Sequence, residues 1–315
     1  MWQQLRQEIG IGKILKKAKI MSNASLIIEE RAADIGNFLV GRLLPFRQKR
    51  AVGPFVFLDH MGPAELPEDQ DFDILPHPHI GLSTLTYLFE GSIMHRDSIG
   101  SVQEINPGAV NWMTSGKGIV HSERTPDTLR GKAKRMHGLQ IWVALPKDKE
   151  EMKPSFSHVG ADDLPTIDTD GVKMRLIAGK AMGYESPVPV YSELFLLEIL
   201  SEEAHKLNLG EALYGEIAIY VLEGSVKTEN QKLESGKLLV AKNSDLCSLQ
   251  MAANSKIFVF GGEPFPEERF INWNFVSSDR DRIKQARENW INQDVKAFSK
   301  IPGDDQEYVP YPKLK

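Results

Sequence analysis

Four residues have the type and spacing needed to hold a transition metal. His77 and His79 are separated by Pro78 alone, and His121 and Glu123 by Ser122 alone. In a β-strand successive side chains point to opposite faces, so residues two apart share a face. Each pair can therefore project from one strand toward a common interior point. Three imidazoles and one carboxylate form a ligand set suited to a first-row transition metal. No thiolate belongs to the set, which excludes a structural zinc site of the cysteine type.

The segments that must position these pairs read as strands. Pro54 to His60 is a run of β-favouring residues stopped by Met61-Gly62-Pro63, and Ala64 to Leu75 is an acidic loop leading into the first histidine pair. Along Gly81 to Glu90 both alternating sets, Leu82, Thr84, Thr86, Leu88 and Ser83, Leu85, Tyr87, Phe89, contain large residues. That pattern predicts a strand covered on both faces. Ile93 to Asp97, Val102 to Ile105, Ala109 to Thr114 and Gly138 to Leu145 follow, separated by Gly, Pro and Asn turns. Short strands at this interval, with no helical period between them, predict an all-β sandwich or barrel. Gly116 and Gly118 are expected to allow close backbone approach before the strand of His121.

Pro146 to Pro154 is charged and bounded by prolines, the expected link between domains. Beyond it the β pattern resumes, and Ile219 to Ser225 echoes Thr86 to Ser92. A duplicated β-domain is the simplest account of that weak repeat. The second half has only His158 and His205, neither with a ligand partner two residues away. From Asp279 to Lys300, Ile283, Ala286, Trp290 (or Ile291) and Phe298 recur near helical spacing, predicting one amphipathic helix with Ser278 as its N-cap. The residues from Gly303 onward read as a surface tail. The expected division is a basic extension over 1–21, a metal-binding domain over 22–150, and a second, metal-free domain with the helix and tail over 151–315.

Composition bounds the function classes. At 315 residues two domains are expected, and 41% hydrophobic with 26% charged residues is ordinary for a soluble globular protein. A net charge of −5 provides no footprint for direct nucleic-acid binding. No apolar run reaches the roughly 18 residues a transmembrane helix needs. Cys247 is the sole cysteine, so no internal disulfide exists; it reads as an inert buried thiol in a reducing, cytoplasmic compartment. The first twenty residues carry Arg6, Lys13, Lys16, Lys17 and Lys19 against Glu8 alone. A partner- or membrane-touching helix, a targeting peptide and translation from an upstream start compete; we favour the last, since Met21-Ser22-Asn23-Ala24 resembles a natural beginning.

From about Ser25 onward the chain resembles the pirin family of the cupin superfamily. The resemblance rests on Pro54 to His60, Pro76-His77-Pro78-His79, Tyr87 to Gly91, Asn106-Pro107-Gly108, Trp112 to Glu123 and His137 to Val143, in that order. It implies two tandem jelly-roll β-barrels with a C-terminal amphipathic helix, and one metal, held in the N-terminal barrel by His77, His79, His121 and Glu123. The wider cupin pattern places a carboxylate three to four residues after the second histidine; Leu82 to Thr84 stand there, which makes Glu123 the only acid of the set. Ile80 occupies a position where many pirins carry Arg, a difference at the pocket mouth.

Such a centre leaves one or two coordination positions open. Fe(II) is the first choice by family; manganese, nickel, copper or cobalt suit the same ligands. The resemblance implies a dioxygenase that takes a flavonol such as quercetin and O2, opening the heterocycle with loss of carbon monoxide, with Glu123 as proton acceptor and dissociable ligand. The alternative is a non-enzymatic, iron-containing, redox-sensitive regulator that binds a transcriptional or metabolic protein partner. An inert structural cupin is the weakest reading. His60 and His137 are expected to be structural or to support the site, hydrogen-bonding near the centre, His95 to be exposed or on an edge, and Trp112, Met113 and Phe57 to be barrel core.

Overall fold

The structure is a computed structural model that describes residues 26–312 apart from 36, 37, 170, 211, 242 and 247. The expectations for the basic extension and for Cys247 lie outside the described residues. The all-β expectation holds: two jelly-roll barrels stand side by side, each with one large and one small sheet. In the first barrel, Leu82–Glu90, Lys134–Ala144 and Phe55–Leu66 lie adjacent in a seven-stranded sheet. Facing it are four strands in the order Asp73–His79, Ile119–Arg124, Ile93–Asp97 and Val102–Ile105. The second barrel repeats the plan with a large sheet that contains Leu194–Ser201, Ser255–Gly262 and Glu216–Glu223, and a four-stranded partner.

The two large sheets pack face to face, which explains the doubly apolar alternation. In Leu82–Glu90, Leu85 and Tyr87 join a core cluster with Leu196, Tyr220 and Phe258 of the second barrel, whereas Leu82 and Leu88 turn into the first barrel. Leu194–Ser201 behaves likewise: Leu194 and Leu196 meet the first barrel, and Phe195, Leu197 and Ile199 fill the second. The second barrel's interior is packed with apolar side chains, among them Leu176, Val221, Leu239 and Val259, all fully buried. Each fully buried Leu, Ile or Phe contributes about 1.5–3 kcal/mol relative to exposure. One interior is therefore filled by oil-like packing, while the other keeps polar groups for chemistry.

The barrels also trade segments of chain. Leu26–Glu29 pairs with Lys237–Ala241 in the second barrel's sheet. Ser155–Val159, just past the charged link, pairs instead with Val110–Thr114 of the first barrel. The helix runs over Arg280–Ile291, shorter than the expected span, and Asp279 caps it by accepting from the Asp281 backbone N–H at 2.8 Å. Ser278, the expected cap, is taken by Glu150, which accepts its N–H. The helix stops where Asn292 donates back to the Glu288 carbonyl and Gln293 turns left-handed at φ +51°. Its apolar face, Ile283, Ala286 and Trp290, packs with Phe298, Ile80 and Val120 on the first barrel. The tail lies at the surface, as expected, but is anchored: Val309 donates its backbone N–H to Pro76 at 2.8 Å, beside the first histidine pair. No helix among the described residues is long and apolar enough to cross a membrane.

Candidate metal centre

The antiparallel ladder between Asp73–His79 and Ile119–Arg124 sets His77 directly opposite His121 and Ile119 opposite His79. Pro76-His77-Pro78-His79 cannot donate at either proline, and the ring positions confine the backbone to extended conformations. Pro78 faces away, and both imidazoles point inward. Two glycines let the ends of these strands close. Gly81 (φ +68°) and Gly116 (φ +47°) adopt left-handed backbone, and a β-carbon would overlap the Val276 carbonyl at the first and the Met152 carbonyl at the second. Gly81 also donates to the Gly116 carbonyl, tying the two turns together at 2.9 Å.

The ligand atoms of His77, His79 and His121 all lie within 4.8 Å of one another. All three rings are buried. His77 Nδ1 lies 2.8 Å from the Leu75 carbonyl and His79 Nδ1 3.1 Å from the Asn274 carbonyl. A carbonyl can only accept, so both rings carry their proton on Nδ1 and present a bare Nε2. His121 Nε2 is buried without any hydrogen-bond partner. Such an orphan is costly unless an ion supplies the missing contact. Burial lowers the His77 pKa to about 4 against the Leu75 hydrogen bond, which raises it, and a proton on His95 would lower it further. His79 falls well below the ordinary imidazole value, first by burial and then through His77, and His121 does so first by burial and then through His77, His79 and His95. Three neutral, convergent imidazoles are the form a divalent metal binds. The residues present thus fit a metal cofactor.

Glu123 stands apart from this trio. A register shift between His121 and Glu123 displaces it along the strand, opposite Ile74 rather than a ligand. It is 5% exposed, faces the same cavity, and its Oε1 accepts from Gln140 Nε2 at 3.0 Å, with the Thr86 hydroxyl 3.2 Å away. Burial raises its pKa; His95, Thr86 and Gln140 oppose that without reversing it. The structure thus gathers three of the four expected ligands and places the fourth beside them, aimed at the same space.

That space is a cavity of about 380 Å³. Phe57 and Trp142 form one wall, stacked with centroids 3.9 Å apart and planes at 12°. Trp273, from the far end of the chain, forms another. Arg42 lies over the Phe57 ring at 4.6 Å and donates to both carboxylate oxygens of Asp59 at 2.8 and 2.7 Å. Burial nevertheless raises the Asp59 pKa, because desolvation exceeds what Arg42 returns. A larger groove of about 620 Å³ on the second barrel, lined by Asp168, Lys173 and Lys256, gathers no comparable ligand set among the described residues. The chemistry belongs to the smaller cavity.

Several expectations change here. Phe57 lines the cavity rather than serving only as core; Trp112 is core, as expected. His95 is buried, not exposed, because Ile93, His95 and Asp97 share the inward face of their strand. His60 and His137 do bond each other, Nε2 to Nε2 at 2.9 Å, but on the opposite face of the sheet, toward Tyr220 of the second barrel and Glu30. Gln140, Thr86 and Asn274 were not anticipated. His95-Arg96-Asp97 shows the same one-residue spacing as the ligand pairs, so that signal was present; nothing local marks Asn274, which acts through its backbone.

Sequence comparison matches the family model described as Pirin over residues 37–143 and that described as Pirin C-terminal cupin domain over 196–296. A pirin-like protein of Caulobacter vibrioides is 47% identical over 292 residues, covering 91% of this chain and 99% of its own. The crystal structure of quercetin 2,3-dioxygenase from Acinetobacter baumannii superposes with a TM-score of 0.83 at 35% identity, covering 92% of this chain and 96% of that one. A bacterial pirin of Escherichia coli, solved in complex with nickel(II), shares the fold at 18% identity, with a TM-score of 0.61 and coverage of 77% and 100%.

Proposed function

Because the chain belongs to the pirin family, we propose that it is a metal-dependent dioxygenase acting on a flavonol of the quercetin type or a related enolic small molecule. One observation carries the reading: three buried imidazoles converge, and two of them, His77 and His79, line a cavity walled by stacked aromatic rings. The likeness to the Acinetobacter enzyme supports the same substrate class. His77, His79 and His121 would hold the ion, with Glu123 as the fourth donor of the set. Fe(II) is our assignment; manganese, nickel, copper and cobalt suit the same donors. Bound there, the metal supplies Lewis acidity toward vicinal oxygens of the substrate and an open position for O2.

The protein's own groups do the rest. Phe57, Trp142 and Trp273 give a flat, apolar slot that holds a planar ring and keeps water out. Glu123 accepts the proton of the substrate's enolic hydroxyl, and its raised affinity for protons suits it to that duty. Gln140 fixes the carboxylate's orientation by its 3.0 Å hydrogen bond. Met61, Val40 and Ile74 line the apolar remainder. We place the activity in the cytoplasm, on the strength of the single cysteine.

The test is anaerobic loading of the metal-stripped protein with each of Fe(II), Mn(II), Ni(II), Cu(II) and Co(II), then aerobic addition of quercetin. The reading expects loss of the flavonol absorbance with stoichiometric O2 uptake and carbon monoxide release for at least one metal. Absence of turnover with every metal would overturn it.

A further inference from the structure

The three imidazoles of the centre each need an acceptor on Nδ1, and only two find a backbone carbonyl. For His121 that place is taken by a side chain: its Nδ1 faces His95 Nδ1 at 3.5 Å. His95 sits across the ladder, opposite Glu123, with Asp97 opposite His121. Both are buried, Asp97 completely, and His95 stacks on Phe156 with centroids 4.5 Å apart.

The direction of these bonds follows from what each atom can do. Asp97 Oδ1 accepts the backbone N–H groups of Ile99 and Ser101 at 3.0 and 2.9 Å. Its Oδ2 faces His95 Nε2 at 3.1 Å. A carboxylate held by two amide donors is an acceptor, so His95 as a neutral ring carries its proton on Nε2 and leaves Nδ1 bare. A bare Nδ1 facing His121 Nδ1 requires His121 to donate. His121 then has no proton on Nε2, the buried atom with no partner in the protein. The chain Asp97–His95–His121 thus runs in one sense only, and it ends on a lone pair.

We propose that His95, itself held by Asp97, is the positioning residue that locks His121 in its metal-binding tautomer and sets the affinity of the centre. The two other ligands have main-chain acceptors; this third support is a side chain and can be exchanged directly. The proposal rests on the metal-binding part of the function above and is independent of the flavonol. Outer partners of ligating histidines typically govern metal affinity by roughly 10- to 100-fold.

The test uses the full-length metal-stripped protein and Ni(II) as the probe. His95→Phe keeps a flat ring against Phe156 but removes the acceptor; His95→Asn leaves an oxygen near the position of Nδ1. Isothermal titration should show His95→Phe binding Ni(II) roughly 10- to 100-fold more weakly than wild type, and His95→Asn recovering most of that loss. Independently of any variant, long-range ¹H–¹⁵N correlation on the wild-type apoprotein should show His121 protonated on Nδ1 and bare on Nε2. Unchanged Ni(II) affinity in a folded His95→Phe, or His121 protonated on Nε2, would overturn the proposal. A wild-type protein that binds no Ni(II) would overturn it together with the metal reading; metal binding without quercetin turnover leaves it standing and removes only the substrate.

Discussion

Glu123 has two duties that one substitution can separate. The three histidines converge without it, and its carboxylate is held instead by Gln140 and Thr86. Glu123→Gln should therefore retain Ni(II) binding within about tenfold, while quercetin turnover falls by roughly 100-fold or more, the usual value of a general base. Metal titration and turnover measured on the same preparation check this; parallel loss of both would make Glu123 a ligand first. A second residue-scale expectation concerns the other histidine pair. Burial, reinforced by the charges of His60, Lys256 and Arg135, lowers the His137 pKa to about 4 from an ordinary 6.5. On its other side the pair meets Glu30 and Tyr220, so the carboxylate faces His60 and not His137. The folded state therefore binds the His137 proton less readily than the unfolded chain, and stability falls as pH drops from about 6.5 toward 4. Urea midpoints across that range should show the slope, and His137→Gln should flatten it. The ligand histidines were legible from spacing alone. Which ring nitrogen each uses was not, because tautomers are set by partners as distant in sequence as Asn274.

At the scale of elements, the strand containing His79 continues into a turn with no room for a side chain. Gly81 is left-handed, and a β-carbon there would strike the Val276 carbonyl on the strand that follows Asn274. Gly81→Ala should cost at least about 1–2 kcal/mol from the backbone alone. It should also weaken metal binding by pushing the Asn274 carbonyl off His79. Denaturant unfolding and metal titration of the variant measure the two effects separately. Alternation told correctly that Leu82–Glu90 is covered on both faces, since both faces are apolar in the sequence. The helix boundary was misjudged because periodicity continues to Phe298 after the helix has ended: that residue packs with Trp290 across a turn, not along one helical face. His60 and His137 were drawn toward the centre by their type; strand parity turns them to the other side of the sheet.

For the whole molecule, a metal at His77, His79 and His121 would tie two paired strands of the first barrel together, so its binding should be felt in global stability. A divalent ion at a hundred times its dissociation constant should stabilise the fold by about 2.7 kcal/mol, raising the melting temperature, and a chelator should reverse the gain. Calorimetry with and without metal checks it; an unchanged melting temperature would show that the ion does not bind the folded state in preference to the unfolded chain. The duplicated β plan was visible in a weak repeat, but the exchange of segments between barrels was not, because pairing between ends leaves no local pattern. The last of those segments has a consequence for how the protein is made. Asn274, 195 residues beyond His79, and Val309 both meet the strand of the first histidine pair. The first barrel's own strands are made well before them, yet its pocket is roofed only once those residues are in place. A polypeptide that stops short of Asn274 has the ligands without their cover, so competence at the centre doubles as a readout of synthesis through that residue.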